Sequence, residues 1–184
     1  AAAHHRTLLV ENLARCRAAL DEFRPDVVVV WGDDQYENFR EEVVPPFCVL
    51  AYGDVEAEPF ELMNKRGSPN AWGLPEDTTI TLHGGAGNAR RLTDQLLARG
   101  FDIAYSYAKR KDSPFPHAIL NTQLFLDYPD AGGSFGYPLI PITVNCYGQH
   151  AIARRGGLAR FAEITDEQLD PVGPSPARCF ALGR

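Results

Sequence analysis

Apolar positions along this chain first recur with the period of a helix and then run together as in a strand. Leu8, Leu9, Leu13, Cys16, Leu20 and Phe23 follow one another at helical spacing and predict an amphipathic helix over residues 1–23. Pro25 ends this pattern, and the four valines of residues 27–30 come directly after it. A short β-branched run of this kind predicts a strand that is buried on both faces of a sheet.

The same order of helix and strand repeats later in the chain. Residues 89–99 predict an amphipathic helix that Gly100 ends, and residues 101–107 return as a strand. Residues 47–52 and 138–145 predict further strands, and a helix is expected to start near His117. Repeated helix–strand units favour an α/β fold, a three-layer domain with a mainly parallel central sheet flanked by helices. We expect residues 1–184 to form a single domain of this kind.

Polar side chains follow three of the predicted strands at the points where the strands end. Asp33, Asp34 and Gln35 come directly after the valine strand, and residues 107–117 and 145–150 follow two later strands. Ligands of open α/β sheets bind beyond the carboxyl ends of the strands, so these segments are expected to converge on one site. A simpler alternative for the first segment is a capped turn, in which Asp33 or Asp34 is the N-cap of a short helix over residues 36–42.

Two histidines, His117 and His150, lie in these strand-end segments. Imidazole acts as an acid or base near neutral pH and also binds metals, so both are candidate site residues. A purely structural role is the alternative for each of them. His150 is followed by a charged insert, residues 151–171, that the sequence pattern does not locate in the fold.

Other kinds of site are weakly indicated or lack their motif. The sequence contains no GxSxG elbow and no HExxH motif. The glycine-rich residues 83–87 lack the Lys-Ser/Thr pair of a P-loop, so a helix lead-in is the favoured interpretation over a phosphate cradle. The cysteines form no CxxC pair and are expected to be buried, reduced thiols of a cytoplasmic protein.

Composition and charge narrow the classes of partner. The 184 residues are 45% hydrophobic and 23% charged, which is ordinary for a globular protein. The formal net charge of -6 argues against a nucleic-acid partner, which would need a basic face. No apolar run is long enough for a membrane span. Because Ala1 and Arg184 both lie inside helical patterns, we expect the chain to be a fragment of a longer protein.

Four segments, in order, resemble the class III extradiol ring-cleavage dioxygenases, the family of the catalytic subunit of protocatechuate 4,5-dioxygenase. The first is PDVVVVWGDDQYENF with PPFCV soon after it, where the family has an apolar strand, GDDH or a close variant, and then PPFC. The others are GFDIAYSY followed by a loop and a Pro-His pair, an apolar strand that ends in VN, and PSPARCFALG. The resemblance spans nearly the whole chain and implies a three-layer α/β fold.

The resemblance implies an enzyme that opens a catechol-type ring with O₂ at a non-haem Fe(II) site. In the family, two histidines and one glutamate hold the iron. Gln35 stands at the position of one of these histidines and is the metal candidate of this chain. His117 matches a histidine that lines the catechol pocket, which implies substrate binding and proton handling. Asp34, Asn145 and His150 complete the expected substrate-binding set.

The remaining site residues of the family would lie outside this chain. One iron histidine would precede Ala1, and the glutamate ligand and the main acid/base histidine would follow Arg184. We therefore expect this chain alone to bind Fe(II) poorly and not to cleave catechols. The expected partners of the intact protein are a small aromatic diol and O₂, with residues 53–77 and 151–171 around the pocket; a homo-oligomer and a small partner subunit are both left open.

Two alternatives to this enzyme remain. One is a non-catalytic binding or subunit-like homologue that kept the fold and lost the metal site, because Gln35 replaces a histidine ligand. The other is a hydrolase of similar layered fold, against which the lack of a nucleophile motif argues.

Overall fold

The computed structural model describes most of the chain. The described residues are 2–35, 37–40, 42–65, 67–68, 70–128, 130, 133–145 and 174–184, with the backbone alone for Leu62, Asn64 and Asn145. Their helices are α1 Ala2–Phe23, α2 Glu61–Lys65, α3 Ala86–Ala98, α4 His117–Leu126 and α5 Pro176–Gly183. Their strands are β1 Val28–Asp34, β2 Phe47–Leu50, β3 Val55–Ala57, β4 Ile80–Leu82, β5 Ala104–Ser106 and β6 Leu139–Asn145. None of these helices is long and apolar enough to cross a membrane.

A four-stranded mixed sheet lies at the centre, with the strand order β1-β6-β2-β5. The pairs β1–β6 and β2–β5 are parallel, and the pair β2–β6 is antiparallel. The strands β3 and β4 form a separate antiparallel ribbon. A sheet with mostly parallel pairs between helices confirms the predicted α/β class.

Two apolar cores lie on the two faces of the central sheet, because side chains alternate along each strand. The core on the side of α4 includes Val30, Cys48, Leu50, Ile119, Leu120 and Leu124. The core on the side of α3 and α5 includes Phe47, Val49, Ile140, Ile142, Ala89 and Leu182. Helices therefore cover both faces of the sheet, which is the layered arrangement that the sequence predicts.

The prediction that the valine strand is buried on both faces is wrong for β1. Val30 is buried, whereas Val29 and Trp31 are 43% and 47% exposed. β1 is the edge strand of the described sheet, and the core beneath α3 and α5 is built mainly on β2 and β6. The outer side chains of β1 thus remain accessible in the part of the chain that the structure describes.

Helix α1 is confirmed, but its buried side differs from the predicted apolar stripe. Leu9 and Phe23 are 59% and 80% exposed, although both belong to that stripe. Leu20 packs against the core, and Arg17 on the same side of the helix donates to Asp127 at 2.7 Å. α1 contacts α4, but none of the described residues of α1 is fully buried.

The cysteines of the described residues are all free thiols. Cys48 is buried, Cys179 is half-buried and Cys16 is exposed. The expectation of buried thiols is therefore wrong for Cys16, which lies on the open side of α1. Cys146 lies outside the described residues.

Candidate active site

The strands β1 and β6 end side by side, so their polar ends lie together. In the parallel register Asp34 stands opposite Asn145. This carboxyl edge is where open α/β sheets bind ligands. The side chain of Asn145 and the whole of His150 lie outside what the structure describes, so the substrate-binding roles expected of them stay predictions.

The third polar segment reaches this edge by a different route from the expected one. β5 is parallel to β2, and β2 is antiparallel to β6. The carboxyl end of β5 therefore lies on the opposite side of the sheet from the carboxyl ends of β1 and β6. The loop of residues 107–116 then runs back towards the end of β1. On this loop, Arg110 donates to the carbonyl oxygen of Asn38 at 3.4 Å and forms an ion pair with Glu42 at 3.0 Å. His117 thus arrives by a return loop and not by a shared carboxyl edge.

The turn after β1 is held by the carboxylate of Asp34. It accepts the backbone N–H groups of Glu37 at 3.0 Å, Asn38 at 3.1 Å and Phe39 at 3.3 Å. Asp34 is buried, and this burial raises the pKa of its carboxyl group while the backbone hydrogen bonds lower it. The Asp34 carboxylate therefore caps the backbone N–H groups of this turn, which is the simpler alternative for the segment.

The short helix expected over residues 36–42 is not present in the described part of that segment. Pro45 and Pro46 lack a backbone N–H group, so a helix could not continue past this turn. The turn is therefore capped without growing into a helix. Because the Asp34 oxygens already accept these N–H groups, its expected contact with substrate stays a prediction.

A buried glutamate that the sequence reasoning did not single out lies at the centre of the site. Glu37 is 3% exposed, and its two carboxylate oxygens accept the backbone N–H of His117 at 3.1 and 3.2 Å. Its Oε1 also lies 2.7 Å from Nδ1 of His117. Burial raises the pKa of Glu37, and the hydrogen bonds from His117 lower it.

The spacing of Asp34 and Glu37 was the signal that could have drawn attention to this glutamate. An N-cap residue followed three positions later by glutamate is the pattern of a capping box. In a capping box the glutamate reaches back to its own turn, whereas Glu37 reaches the first residue of α4. Backbone N–H groups at a helix start lack partners within the helix and favour a negative charge, which explains why this carboxylate is tolerated there.

The position of His117 is fixed by the seating of α4 on β1. Pro116 precedes the helix, where its restricted backbone suits a helix start. A Cβ at Gly32 would lie 2.7 Å from Cδ1 of Ile119 and 3.0 Å from the Cβ of Ala118. The first turn of α4 therefore lies directly on the backbone of β1.

A cavity of about 460 Å³ opens beside this turn and α4. It is lined by Gln35, Glu37, Arg40, Pro59, Met63, Lys65, Ser68, Pro114, His117 and Asn121. The His117 side chain is 39% exposed, so its ring is buried towards Glu37 and accessible elsewhere. Gln35 lines the same cavity, and its Nε2 donates to Asp33 at 2.7 Å, which leaves its amide oxygen as the atom that can bind a metal.

The described residues do not by themselves fit the expected Fe(II) site. A facial triad needs three ligands on one side of the ion, and no group of three His, Cys, Asp or Glu side chains in this part of the chain could hold a metal. Glu37 and Nδ1 of His117 are engaged with each other. Gln35 would contribute a neutral oxygen and no charge. The assignment of Gln35 as a metal ligand stays a prediction.

Several known enzymes are similar to this chain. The chain is 30% identical over 182 residues to 2,3-dihydroxyphenylpropionate/2,3-dihydroxicinnamic acid 1,2-dioxygenase of Comamonas testosteroni, which covers 99% of the chain and 49% of that relative. The chain is a homologue of extradiol dioxygenases. A Pseudomonas putida enzyme of the same name, numbered 2, is 30% identical over 139 residues, or 75% of the chain and 36% of the relative. No family model matches the chain.

These relatives support the class III extradiol family that the sequence motifs resemble. The chain spans about half the length of the Comamonas testosteroni relative and about a third of the Pseudomonas putida relative. The activity of these full-length relatives is therefore assigned to this chain only as a proposal. The narrower likeness to protocatechuate 4,5-dioxygenase stays a prediction.

Proposed function

We propose that the protein to which this chain belongs is an extradiol ring-cleavage dioxygenase that opens a catechol-type ring with O₂ at a non-haem Fe(II) site. The observation that carries this proposal is the 30% identity with a dioxygenase over 99% of the chain. The cavity beside His117, about 460 Å³ in volume, supports it because sites for small molecules are typically about 300–1,000 Å³. Residues 1–184 form one domain of that enzyme in this proposal.

His117 is the residue of this chain that we assign to the reaction. Its ring lines the cavity, and imidazole is suited to taking up or returning the proton of a catechol hydroxyl. Asn121 follows on the same face of α4, four residues later, and lines the same cavity. Its amide can both donate to and accept from a hydroxyl group, so it is suited to orienting the ring.

The cavity walls favour a substrate with an anionic substituent. Arg40 and Lys65 both line it, and their charges complement a carboxylate. The names of the relatives give a propionate and a cinnamic acid as substrates. We therefore propose a catechol with a carboxylate side chain, bound with its hydroxyl groups towards His117. Lys65 also forms an ion pair with Glu61, which holds it at the rim.

Residues 1–184 alone, in this proposal, neither hold stoichiometric iron nor cleave catechols. The support is that the described residues offer no group of three carboxylate, imidazole or thiolate ligands. Gln35 takes one ligand position, and the remaining ligands are supplied from elsewhere in the intact protein. Iron bound one-to-one by residues 1–184, with formation of a yellow ring-opened product, would contradict this part of the proposal.

The test uses the full-length protein, reconstituted with Fe(II) without oxygen and then mixed with O₂ and a panel of catechols. Oxygen uptake and the absorbance of the ring-opened product are measured for catechols with and without a carboxylate side chain. We expect turnover of the carboxylate-bearing catechols, and a loss of about 100-fold in kcat/KM for His117→Ala.

The matched control is His83→Ala, because His83 is an exposed histidine that bonds to Asp54 and does not line this cavity. This variant should retain wild-type turnover. The proposal would be contradicted if no catechol of the panel supported oxygen uptake, or if His117→Ala kept full activity.

A non-catalytic homologue is the second candidate, and Gln35 is the observation that favours it. A neutral amide at a histidine position is a weaker metal ligand than imidazole. This candidate predicts that the full-length protein binds catechols with no uptake of O₂. For this candidate, Gln35→His should raise the affinity of the protein for Fe(II). If the protein is instead an enzyme adapted to glutamine, the same substitution should not increase its turnover.

A further inference from the structure

We propose that Glu37 is a positioning residue, which holds His117 with its proton on Nδ1 so that the bare Nε2 accepts the proton of a substrate hydroxyl in the cavity. This inference rests on the proposed function for the identity of the substrate, but not for the state of the imidazole. In the proton transfer an O–H bond of the catechol breaks and an Nε2–H bond forms. The electron pair stays on the catecholate oxygen, and the proton stays on the imidazole.

The first support is the direction of the hydrogen bonds that Glu37 receives. A backbone N–H can only donate, so the contacts of 3.1 and 3.2 Å with the N–H of His117 require carboxylate oxygens that accept. The same Oε1 lies 2.7 Å from Nδ1 of His117. An oxygen that already accepts at this site is best matched by a second donor, which is Nδ1–H.

The second support is the set of donors that surrounds the Glu37 carboxylate. Its side chain is 4% exposed, and within the described residues its hydrogen bonds come from the backbone and the ring of His117. A buried carboxylate is stabilised by such hydrogen bonds and by the start of α4.

The third support is that the backbone holds both partners in place. Asp34 accepts the N–H of Glu37 at 3.0 Å, and α4 fixes the backbone of His117 against β1. The carboxylate and the ring therefore meet without the loss of much side-chain freedom. An oriented histidine of this kind presents one defined nitrogen to a ligand.

The opposite arrangement is a protonated Glu37 that donates to Nδ1. It would put the ring proton on Nε2, and His117 would then donate to a substrate and not accept from it. The two arrangements differ in which nitrogen carries the proton, so a measurement of the tautomer decides between them.

The experiment measures long-range ¹H–¹⁵N correlations of the histidine rings in the full-length protein, with His117 assigned from a His117→Gln variant. The wild type should show the Nδ1–H tautomer, and Glu37→Ala should shift the ring to the Nε2–H tautomer that free histidine favours. Glu37→Gln should keep the wild-type tautomer, because the amide oxygen still accepts from Nδ1–H. Glu42→Ala is the matched control, since this exposed glutamate bonds to Arg110, and its spectrum should match the wild type.

An Nε2–H tautomer in the wild type, or an unchanged tautomer in Glu37→Ala, would overturn the proposal whether or not the protein cleaves catechols. If it does cleave them, kcat of Glu37→Ala should fall on the order of 100-fold with KM changed much less, because misplacement of a reacting group acts on the chemical step. Glu37→Gln should recover most of this loss. A wild-type kcat in Glu37→Ala would overturn the catalytic part and leave the ring-cleavage activity itself standing.

Discussion

Removal of the Asp34 carboxylate is expected to release the turn that carries Glu37. The buried carboxylate accepts the backbone N–H groups of Glu37, Asn38 and Phe39, at 3.0 to 3.3 Å. The methyl group of Asp34→Ala cannot accept any of them. Since Glu37 in turn holds His117, the loss reaches the candidate site as well as the stability of the fold.

The size of the effect follows from the burial of these donors. A buried N–H that loses its partner costs about 1–3 kcal/mol, and two of the donors belong to buried residues, Glu37 and Asn38. Part of this cost is offset, because burying the Asp34 carboxylate is itself unfavourable and raises its pKa. We expect a net loss of about 3 kcal/mol in the free energy of unfolding. In a domain of this size that lowers the melting temperature by roughly 6–12 °C.

The assay is urea unfolding followed by circular dichroism, with Asp33→Ala as the matched control. Asp33 is one residue earlier and half-buried, and its carboxylate accepts from the side chain of Gln35 and not from the backbone of the turn. Its removal should cost about 0.5 kcal/mol or less. Equal unfolding midpoints for the two variants would refute the idea that Asp34 holds the turn.

Three further predictions concern packing and thiol chemistry around the site. In Gly84→Ala a Cβ would meet backbone oxygens at 2.2 Å, so thermal melts should show a loss of about 3 kcal/mol or more in the free energy of unfolding. Gly87 lies on an open part of α3, so Gly87→Ala should gain about 1 kcal/mol in stability. Similar melting temperatures for the two variants would contradict the packing around Gly84. Gly32→Ala should lose about 1–3 kcal/mol, because its Cβ would collide with α4, and an unchanged melting temperature would argue against that contact. Burial raises the pKa of Cys48 to about 12 from 9.0, so the contribution of this thiol to stability should fall as the pH rises between these values. Thiol reagents at about pH 8 should label the exposed Cys16 long before Cys48, and equal labelling rates would exclude this burial.

The order of the elements could be predicted because it depends on local patterns. Gly100 ends α3 with a φ of 78°, as its place after the apolar period indicates. Helix α4 begins at His117, directly after a proline that cannot lie inside a helix. Each of these features is decided within a few residues of sequence.

The direction of β5 and the role of Glu37 could not be predicted, because both depend on distant parts of the chain. The direction of β5 follows from the pairing of β2 with both β5 and β6, and these partners lie far apart in the sequence. Glu37 matters through His117, eighty positions later, and its own neighbours suggest only a cap. The exposure of Trp31 likewise depends on which helices cover β1, which no local pattern contains.

The candidate site was predicted in part. Gln35 and His117 line one cavity, although the shared strand edge from which the sequence argument expected this is wrong for the segment of His117. Residues 53–77 contribute Pro59, Met63 and Lys65 to the cavity wall. The single-domain assignment and the roles of the individual site residues stay predictions.

The most direct test of the account is the isotopic composition of the product formed under ¹⁸O₂ by the full-length, Fe(II)-loaded protein. A catechol with a carboxylate side chain is supplied, and the product is analysed by mass spectrometry before its oxygens exchange with water. The account predicts a ring-opened product that carries both atoms of one O₂ molecule. A product with one labelled oxygen, or recovery of the unchanged catechol, would contradict it.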